Sequence, residues 1–363
     1  MKRKLTARSL ILPLLIAFMI LLPLLGAAVV GEHRYETSHP AYMHRIWMRL
    51  MGEEGMQDNV ATAARAQNGR IQVLVMGKDR AAGLTDVLMI ASLDTKKNTL
   101  HLLQIPRDTY AAYTDGSYKK INGAYAKLGG EGVASFLSDH MGIPIDYYAC
   151  IDLDVLGEMV DAMGGVRMNV PSDMHYDDPA QNLHIHLSAG EQVLDGETAQ
   201  MFVRFRSGYA RADVDRMDAQ KIFLSALAKQ AKENLSLSQT ISLVCKCFGK
   251  IKTNMSLSDA ITCAKVLRRV ELSELHMATL PGSPARAGKD SGAWYYVLNK
   301  AATEKLLQDT LGDLTGTFDA DEVFTNRKNS NFDRIYRAAA GDCRAKDYTA
   351  EETLDGLDIR RVS

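Results

Sequence analysis

Three apolar runs lie within residues 71–108, whose sequence is IQVLVMGKDRAAGLTDVLMIASLDTKKNTLHLLQIPRD. The first run ends at Gly77 and predicts a buried strand that leads into a loop. The second and third runs, residues 85–94 and 99–106, flank the polar segment TKKN and predict a β-hairpin of two strands. A sheet therefore begins near residue 71.

Helical and strand patterns alternate after this hairpin. Apolar periodicity and glycine stops predict helices at 122–142, 154–165 and 213–235 and strands at 146–153 and 166–170. Residues 195–206 read as a helix that runs into a short strand. Beyond residue 234 we expect further helices, then a strand at 275–282 and a helix at 299–312. This alternation indicates an α/β domain with a mixed sheet.

The composition is that of an ordinary globular protein. The 363 residues are 46% hydrophobic and 24% charged, and the formal net charge is -1. Nucleic-acid-binding proteins need a basic surface that displaces counterions, so the near-neutral charge argues against a nucleic-acid partner. Any cluster of arginines must therefore be confined to one site, because the surface as a whole is not basic.

The N-terminus predicts a membrane anchor. Residues 9–31 contain no charged side chain and are long enough to cross a bilayer, and the basic residues Lys2, Arg3, Lys4 and Arg8 precede them. The positive-inside rule then places residues 1–8 in the cytoplasm and the rest of the chain outside the cell membrane. The alternative is a cleaved signal peptide, but the apolar segment is long for one.

Composition also suggests the remaining boundaries. Residues 32–70 read as a linker with one amphipathic piece, and residues 71–315 as the α/β domain. Residues 316–363 are polar and irregular, so we expect a loosely ordered tail whose removal leaves the fold nearly intact.

Two groups of metal-ligating residues need weighing. The five cysteines lack disulfide-scaffold spacing and read as small buried side chains rather than as a metal site or a bridge. The segment HYDDPAQNLHIH, residues 175–186, carries histidines and aspartates that suit a transition metal. Its spacing is not that of a standard zinc site, and we expect it to lie in a long loop.

Charged residues follow the predicted strands at the edge where α/β sheets bind ligands. Asp79 and Arg80 follow the first strand, and Arg107 and Asp108 follow the third. Arg204 and Arg206 flank Phe205 in a segment predicted to be extended, so both guanidinium groups should point to one face. In the next helix the side chains that share one side at i, i+3 and i+7 are Asp213, Arg216 and Gln220.

These charges allow two interpretations. Asp79, Asp86, Asp108 and Asp213 can neutralise the arginines in structural ion pairs, because unpaired buried charge is costly. Alternatively, the planar guanidinium groups bind a phosphate or pyrophosphate, and Asp79 and Asp86 hold a magnesium ion. The sequence lacks the motifs GxxxxGK[ST], HExxH and GxSxG. Their absence argues against the commonest nucleotide-binding proteins, zinc proteases and serine hydrolases.

Eight segments in order together resemble the LytR-CpsA-Psr family across residues 70–232. They are VLVMGKD, TDVLMIASLD, IPRDTY, KINGAYAKLGG, IPIDYYACIDLD, VDAMGGV, GEQVLDGETAQMFVRFR and DVDRMDAQKIFLSAL. The resemblance implies a three-layer α/β/α sandwich with a central mixed sheet and a single transmembrane helix before it. It also implies an extracytoplasmic phosphotransferase of Gram-positive bacteria, with a hydrophobic groove for a polyprenyl chain. Such enzymes move teichoic acid or capsule polymers from a polyprenyl-pyrophosphate carrier to peptidoglycan.

The resemblance assigns roles to individual residues. Asp79 and Asp86 match the metal ligands, for magnesium with manganese as the alternative ion. The matches to catalytic positions are Arg107, Asp108, Arg204, Arg206, Asp213 and Arg216. Pyrophosphate contacts are expected from Arg107, Arg204, Arg206, Arg216 and Gln220, joined by Lys120, Asn122 and Arg80. The chain departs from the family at Leu84, where many members carry an arginine two positions before the second aspartate.

Two further functions stay open. Water in place of an acceptor sugar makes the same site a polyprenyl-pyrophosphate hydrolase. A site that binds the lipid without turnover makes the protein a cell-envelope regulator, for which the chain offers no DNA-binding motif. The base that activates the acceptor is Asp108 or Asp86 by position.

Overall fold

The computed structural model of the protein describes residues 69–78, 84–112, 118–179, 183–207, 209, 213–286, 293–311 and 347–356. The predicted anchor at 9–31 lies outside these ranges, as do nearly all of the linker and most of the predicted tail. No helix within the described ranges has the length and apolar character needed to cross a membrane.

The described residues form fifteen strands, and those at 70–78, 85–94, 99–104, 147–152, 166–170 and 275–279 lie close to where the sequence predicts strands. They are β1 (Arg70–Lys78), β2 (Thr85–Asp94), β3 (Thr99–Gln104), β4 (Tyr110–Ala112), β5 (Tyr118–Lys120), β6 (Tyr147–Asp152), β7 (Val166–Val170), β8 (Met174–Asp178), β9 (Leu183–Leu187), β10 (Gly190–Leu194), β11 (Lys252–Thr253), β12 (Leu275–Thr279), β13 (Gly282–Arg286), β14 (Trp294–Leu298) and β15 (Asp347–Thr349).

The predicted helices are present as well. The α-helices are α1 (Ala124–Met141), α2 (Leu153–Ala162), α3 (Gly196–Arg204), α4 (Asp213–Asn234), α5 (Leu237–Cys247), α6 (Leu257–Leu267), α7 (Lys300–Leu311) and α8 (Ala350–Gly356).

Seven of the described strands form one mixed sheet in the order β11-β6-β1-β2-β3-β12-β15. β1 is parallel to β6 and β3 is parallel to β12, whereas β2 is antiparallel to both of its neighbours. The β2–β3 hairpin is confirmed. Its turn is closed by Asp94, whose carboxylate accepts the backbone N–H groups of Lys96 and Lys97, and by Asn98 with a left-handed φ of 55°.

Alternating side chains along the strands divide the interior into two cores. Val73 and Val75 of β1 pack in one core with α2 to α6 and α8, and Leu74 and Met76 pack in the other with α1 and α7. The sheet is therefore covered by helices on both faces. The predicted α/β class with a mixed sheet is confirmed.

The three described cysteines that can be placed behave as predicted. Cys150 on β6, Cys247 on α5 and Cys263 on α6 are buried and form no disulfide. Burial raises the pKa of the Cys150 and Cys263 thiols, so they stay protonated and act as small apolar side chains.

The extended segment predicted around Phe205 is wrong in part. α3 continues through Arg204, because the N–H of Phe205 still donates to the carbonyl of Met201 at 3.1 Å. Only from Phe205 onward is the backbone extended. Val203 and Phe205 are nonetheless buried and Arg206 is exposed, so the apolar residues do point inward.

The long loop predicted around residues 175–186 is also wrong. These residues belong to the β8–β9 hairpin, whose Met174, Leu183, Ile185 and Leu187 side chains are buried in the first core. Alternating apolar residues at 183, 185 and 187 are the period-2 signal that indicates a strand here.

Part of the predicted loose tail is ordered against the core. β15 pairs antiparallel with β12 at the sheet edge, and α8 packs on α4 with Ala350 and Thr353 almost fully buried. Thr349 and Glu352 form a capping box, in which the Thr349 hydroxyl accepts from the Glu352 N–H and the Glu352 carboxylate accepts from the Thr349 N–H. The T-x-x-E spacing was the available sequence signal for this helix.

We therefore expect truncation to destabilise the domain, contrary to the expectation from composition. A chain that ends at Lys346 loses β15 and the buried face of α8, which costs about 2–3 kcal/mol of unfolding free energy. For a domain of this size that lowers Tm by roughly 4–10 °C. Calorimetry of the truncated and parent proteins measures the shift.

A chain that ends at Gly356 is the matched control, because it keeps both elements. Equal melting temperatures for the two truncated chains would show that residues 347–356 add no stability.

Candidate functional site

The candidate site lies at the edge where three parallel strand ends meet. β1, β3 and β6 run in the same direction and finish there, and β2 begins there with Thr85 opposite Lys78. Asp86 is the second residue of β2, and Arg107 and Asp108 follow β3 after Pro106. The sheet thus brings together residues from two of the charged segments, as the strand pattern predicts.

The turn that carries Arg107 and Asp108 is held by backbone hydrogen bonds to two neighbouring segments, and Thr85 holds one of these in turn. The carbonyl of Arg107 accepts the N–H of Asn122 at 3.1 Å, and the carbonyl of Asp108 accepts the N–H of Tyr296 at 2.8 Å. The hydroxyl of Thr85 donates to the carbonyl of Asn122 at 3.2 Å. Arg107 therefore projects from a fixed backbone, which is what a precise anion contact requires.

Asp86 connects two arginines from distant parts of the chain. Its Oδ1 lies 2.6 Å from Nη1 of Arg107 and 3.7 Å from Nη1 of Arg216. The Arg216 side chain on α4 is only 3% exposed, so its charge needs this carboxylate nearby. The ion pairs offered above as an alternative to ligand binding are thus present at Asp86.

A second ion pair flanks the first. Nζ of Lys120, at the end of β5, lies 3.0 Å from Oδ1 of Asp108, and both side chains are about a third exposed. Among the described side chains that these pairs join, the cations Arg107, Arg216 and Lys120 face the carboxylates Asp86 and Asp108. Guanidinium and ammonium donors thus converge at this edge of the sheet, which suits recognition of an anion.

Gln220 has an interior role that its sequence position did not reveal. It lies one turn after Arg216 on α4, is buried, and accepts from Nε2 of Gln104 at 2.8 Å through Oε1. Its Nε2 donates to the carbonyl of Val203 at 3.2 Å. Gln220 thus links the end of β3 to the end of α3, and Gln104, a polar residue ending an apolar strand, was its unrecognised partner.

For the other predicted site residues the structure gives burial or backbone contacts, or lies outside their positions. Arg204 is half-buried at the end of α3, and Arg206 is exposed beyond it. Asn122 contributes its backbone to the Arg107 turn. Asp79, Arg80 and the side chain of Asp213 lie outside the described residues, so their roles remain predictions.

An apolar cavity of about 60 Å³ is lined by residues that neighbour the charged cluster in the chain. It lies between the first-core face of β1 and β2 and the helices α2 and α4, and its lining includes Val87, Val203 and Gln220. Val87 follows Asp86 in β2, and Gln220 is one helical turn from Arg216. The groove for a polyprenyl chain stays a prediction. No residue that lines this cavity comes from α1, because that helix packs on the opposite face of the sheet.

Comparison with known proteins identifies relatives of the chain. The model of the LytR_cpsA_psr family matches residues 49–311. The polyisoprenyl-teichoic acid–peptidoglycan teichoic acid transferase TagV of Bacillus subtilis is 28% identical over 235 residues, which are 63% of this chain and 60% of TagV. The enzyme of the same description called TagU in Bacillus mycoides is 28% identical over 253 residues, 69% of this chain and 80% of TagU.

Solved structures agree in fold. The crystal structure of Bacillus subtilis TagV is 26% identical with a TM-score of 0.58, and the match covers 68% of this chain and 98% of that one. The structure of TagT bound to LIIa-WTA is 27% identical with a TM-score of 0.54, and covers 68% of this chain and 92% of that one.

The shared carboxylate generates a stability prediction. Asp86→Asn removes a carboxylate that lies between two guanidinium groups, one of them buried, so we expect a loss of about 2–3 kcal/mol of unfolding free energy. Asp108→Asn breaks only the more exposed pair with Lys120 and should cost less than about 1 kcal/mol. Urea denaturation of both variants and the parent compares the two losses. A similar small loss for both would mean that Asp86 does not stabilise buried Arg216.

Proposed function

The chain belongs to the LytR-CpsA-Psr family, and from that premise we propose that it is a membrane-anchored glycopolymer phosphotransferase. Its substrate class is an anionic glycopolymer on a polyprenyl-pyrophosphate carrier, and its acceptor is peptidoglycan. Relatives named as teichoic acid transferases and a relative bound to LIIa-WTA support this assignment. Residues 9–31 anchor the protein in the cell membrane, with the α/β domain on the extracytoplasmic side.

The observation that carries the proposal is a charged cluster whose chain neighbours line an apolar cavity. Arg107 and Arg216 converge on Asp86, and Val87 and Gln220 line the cavity beside them. A ligand that fits both surfaces has a doubly charged head and a hydrocarbon tail. A polyprenyl pyrophosphate has this chemistry.

Arg107 is the principal contact to the pyrophosphate. Its backbone is fixed by Asn122, its guanidinium group already grips one carboxylate oxygen, and a phosphate presents the same paired-oxygen geometry. Arg216 stays buried behind it and adds positive potential without moving. Arg204, at the end of α3, supplies a further guanidinium group from the other side of the cavity entrance.

Asp86 fits the role of a magnesium ligand. Its carboxylate lies at the sheet edge where Arg107 and Arg216 converge, and carboxylate oxygen is the ligand that Mg²⁺ prefers. Asp79 is the second ligand in this proposal. When bound, the ion neutralises charge on the phosphate oxygens as the phosphoryl group transfers.

The reaction is a displacement at phosphorus. A sugar hydroxyl of peptidoglycan attacks the polymer-side phosphorus, a new P–O bond forms, and the bond to the bridging oxygen breaks. Polyprenyl phosphate leaves with the electron pair of that bond. Asp108 takes the hydroxyl proton in this scheme, because Asp86 is already engaged with two arginines, and Arg107 and Lys120 stabilise the developing charge.

The direct test is turnover by the full-length protein. Incubation with a polyprenyl-pyrophosphate glycan, peptidoglycan fragments and Mg²⁺ should release polyprenyl phosphate and attach the glycan to the acceptor. Release of polyprenyl phosphate with the glycan phosphate in solution would identify a hydrolase instead. Retention of unchanged lipid would identify a binding protein.

Arg107→Lys should be far from conservative in this assay. Lysine keeps the charge but loses the planar fork, so we expect turnover to fall by about 10²–10³-fold. Arg167→Lys, at an exposed position on β7, is the matched control and should match the parent. If Arg107→Lys also turns over at the parent rate, Arg107 serves only as an ion-pair partner of Asp86.

Leu84 generates a prediction about metal dependence. It lies just before β2, two positions from Asp86, and its side chain is 37% exposed, so an arginine there avoids burial of a charge. We expect the parent to lose turnover when the metal is removed and Leu84→Arg to regain part of it, because one local positive charge is restored. Arg80→Ala should need more Mg²⁺ than the parent.

Leu237→Arg is the control for a general effect of added charge, since Leu237 is an exposed leucine at the start of α5. Identical Mg²⁺ titrations for the parent, Leu84→Arg and Arg80→Ala would show that neither position compensates for the metal.

A further inference from the structure

We propose that the β8–β9 hairpin binds a transition-metal ion of the zinc class through Asp177, His184 and His186, at a site separate from the charged cluster. Strand pairing creates the site. Asp177 lies directly opposite His184, and His175 lies directly opposite His186. Since alternate residues of a strand share a face, these four side chains form a two-by-two array on one face of the hairpin.

The array faces solvent because the other face of the hairpin is part of the protein core. Met174, Ile185 and Leu187 are buried in the first core, whereas all four members of the array are exposed. Asp178 belongs to the same histidine- and aspartate-rich segment but lies on the core-facing side. The hydroxyl of Tyr176 lies 3.5 Å from its Oδ2. The core-facing side chains therefore hold the hairpin backbone in place, and an ion can reach its solvent-exposed face.

Distances within the array suit a single small cation. Oδ1 of Asp177 lies 2.6 Å from Nδ1 of His184 and 3.2 Å from Nε2 of His186, and one ligand atom from each residue lies within 4.8 Å of the others. Tetrahedral zinc with bonds of 2.0–2.1 Å holds its ligand atoms about 3.3 Å apart. Small side-chain rotations bring the three atoms to that spacing.

The donor set also selects the kind of metal. Two imidazoles and one carboxylate suit zinc and its neighbours in the first transition row, whereas magnesium and calcium prefer oxygen ligands alone. Three protein ligands leave a fourth tetrahedral position for water. This selectivity distinguishes the hairpin from the carboxylate at Asp86.

His175 acts as a positioning residue for the site. Its Nδ1 lies 3.5 Å from Nδ1 of His186, on the ring side opposite the nitrogen that approaches Asp177. If Nε2 of His186 binds the metal, its Nδ1 carries the proton and can donate it to His175. Partners of this kind fix the tautomer and orientation of a ligating imidazole, and their loss typically weakens metal binding 10–100-fold.

The ion would cross-link two strands that, among the described strands, pair with each other alone. β8 and β9 form a two-stranded sheet outside the central sheet, and β9 packs against α3, which ends at Arg204. A two-stranded hairpin has little independent stability, so a metal bridge between its strands stabilises it.

The test is Zn²⁺ binding by the full-length, untagged protein after removal of bound metal with a chelator. Titration by calorimetry in excess Mg²⁺ keeps oxygen-ligand sites occupied. We expect one Zn²⁺ per chain with a micromolar or tighter Kd. His184→Gln, His186→Gln and Asp177→Asn should each weaken binding more than about 100-fold, and His175→Gln about 10–100-fold.

His140→Gln, near the end of α1 and far from the hairpin in sequence, is the matched control and should bind like the parent. Bound Co²⁺ should show the intense visible bands of tetrahedral coordination in the parent and in His140→Gln, but not in His184→Gln. Because the four substituted side chains of the hairpin are exposed, circular dichroism should report an unchanged fold for those variants.

Failure of the parent to bind Zn²⁺, or equal binding by the parent and His186→Gln, would overturn the proposal. Neither result bears on the phosphotransferase assignment, which depends on residues at the other site.

Discussion

The burial of Arg216 is the constraint that organises the charged edge of this protein. A guanidinium group that is 3% exposed requires a carboxylate within reach, and Asp86 meets that requirement while it also binds Arg107. Asp86 is fixed at the start of β2, so the pairing sets the position of α4 relative to the sheet. Gln220, one turn further along α4, extends the same alignment to β3 and α3.

This alignment places a charged surface beside an apolar one. The helix face that carries Arg216 and Gln220 continues to Phe223 and Leu224, which line the cavity. In the proposed function the same helix would contact both the head and the tail of an amphipathic ligand. The apolar contacts would contribute affinity, and the arginines would hold the pyrophosphate near Arg107, whose turn is held by backbone hydrogen bonds.

The β8–β9 hairpin shows how alternation separates two roles within ten residues. Residues 183, 185 and 187 contribute to the core, and the intervening histidines at 184 and 186 face solvent beside Asp177. A hairpin whose inner face is fixed in the core can present a metal-binding face without a dedicated loop. Helix α8 is anchored by the same principle, since Ala350 is buried in the first core and Leu354 packs against it.

The sequence by itself determined the α/β class, the strands from residue 71 to 104, the long helix at 213–234 and the charged residues that follow the strands, because these depend on local periodicity and on residue type. Only the tertiary structure decided which charges meet. Asp86 and Arg216 are 130 positions apart, and Gln104 and Gln220 are 116 apart. The edge strand β15 likewise pairs with a strand about 70 residues earlier. Local patterns specify which face of an element is apolar, but the partner of a polar side chain is set by packing between elements distant in sequence.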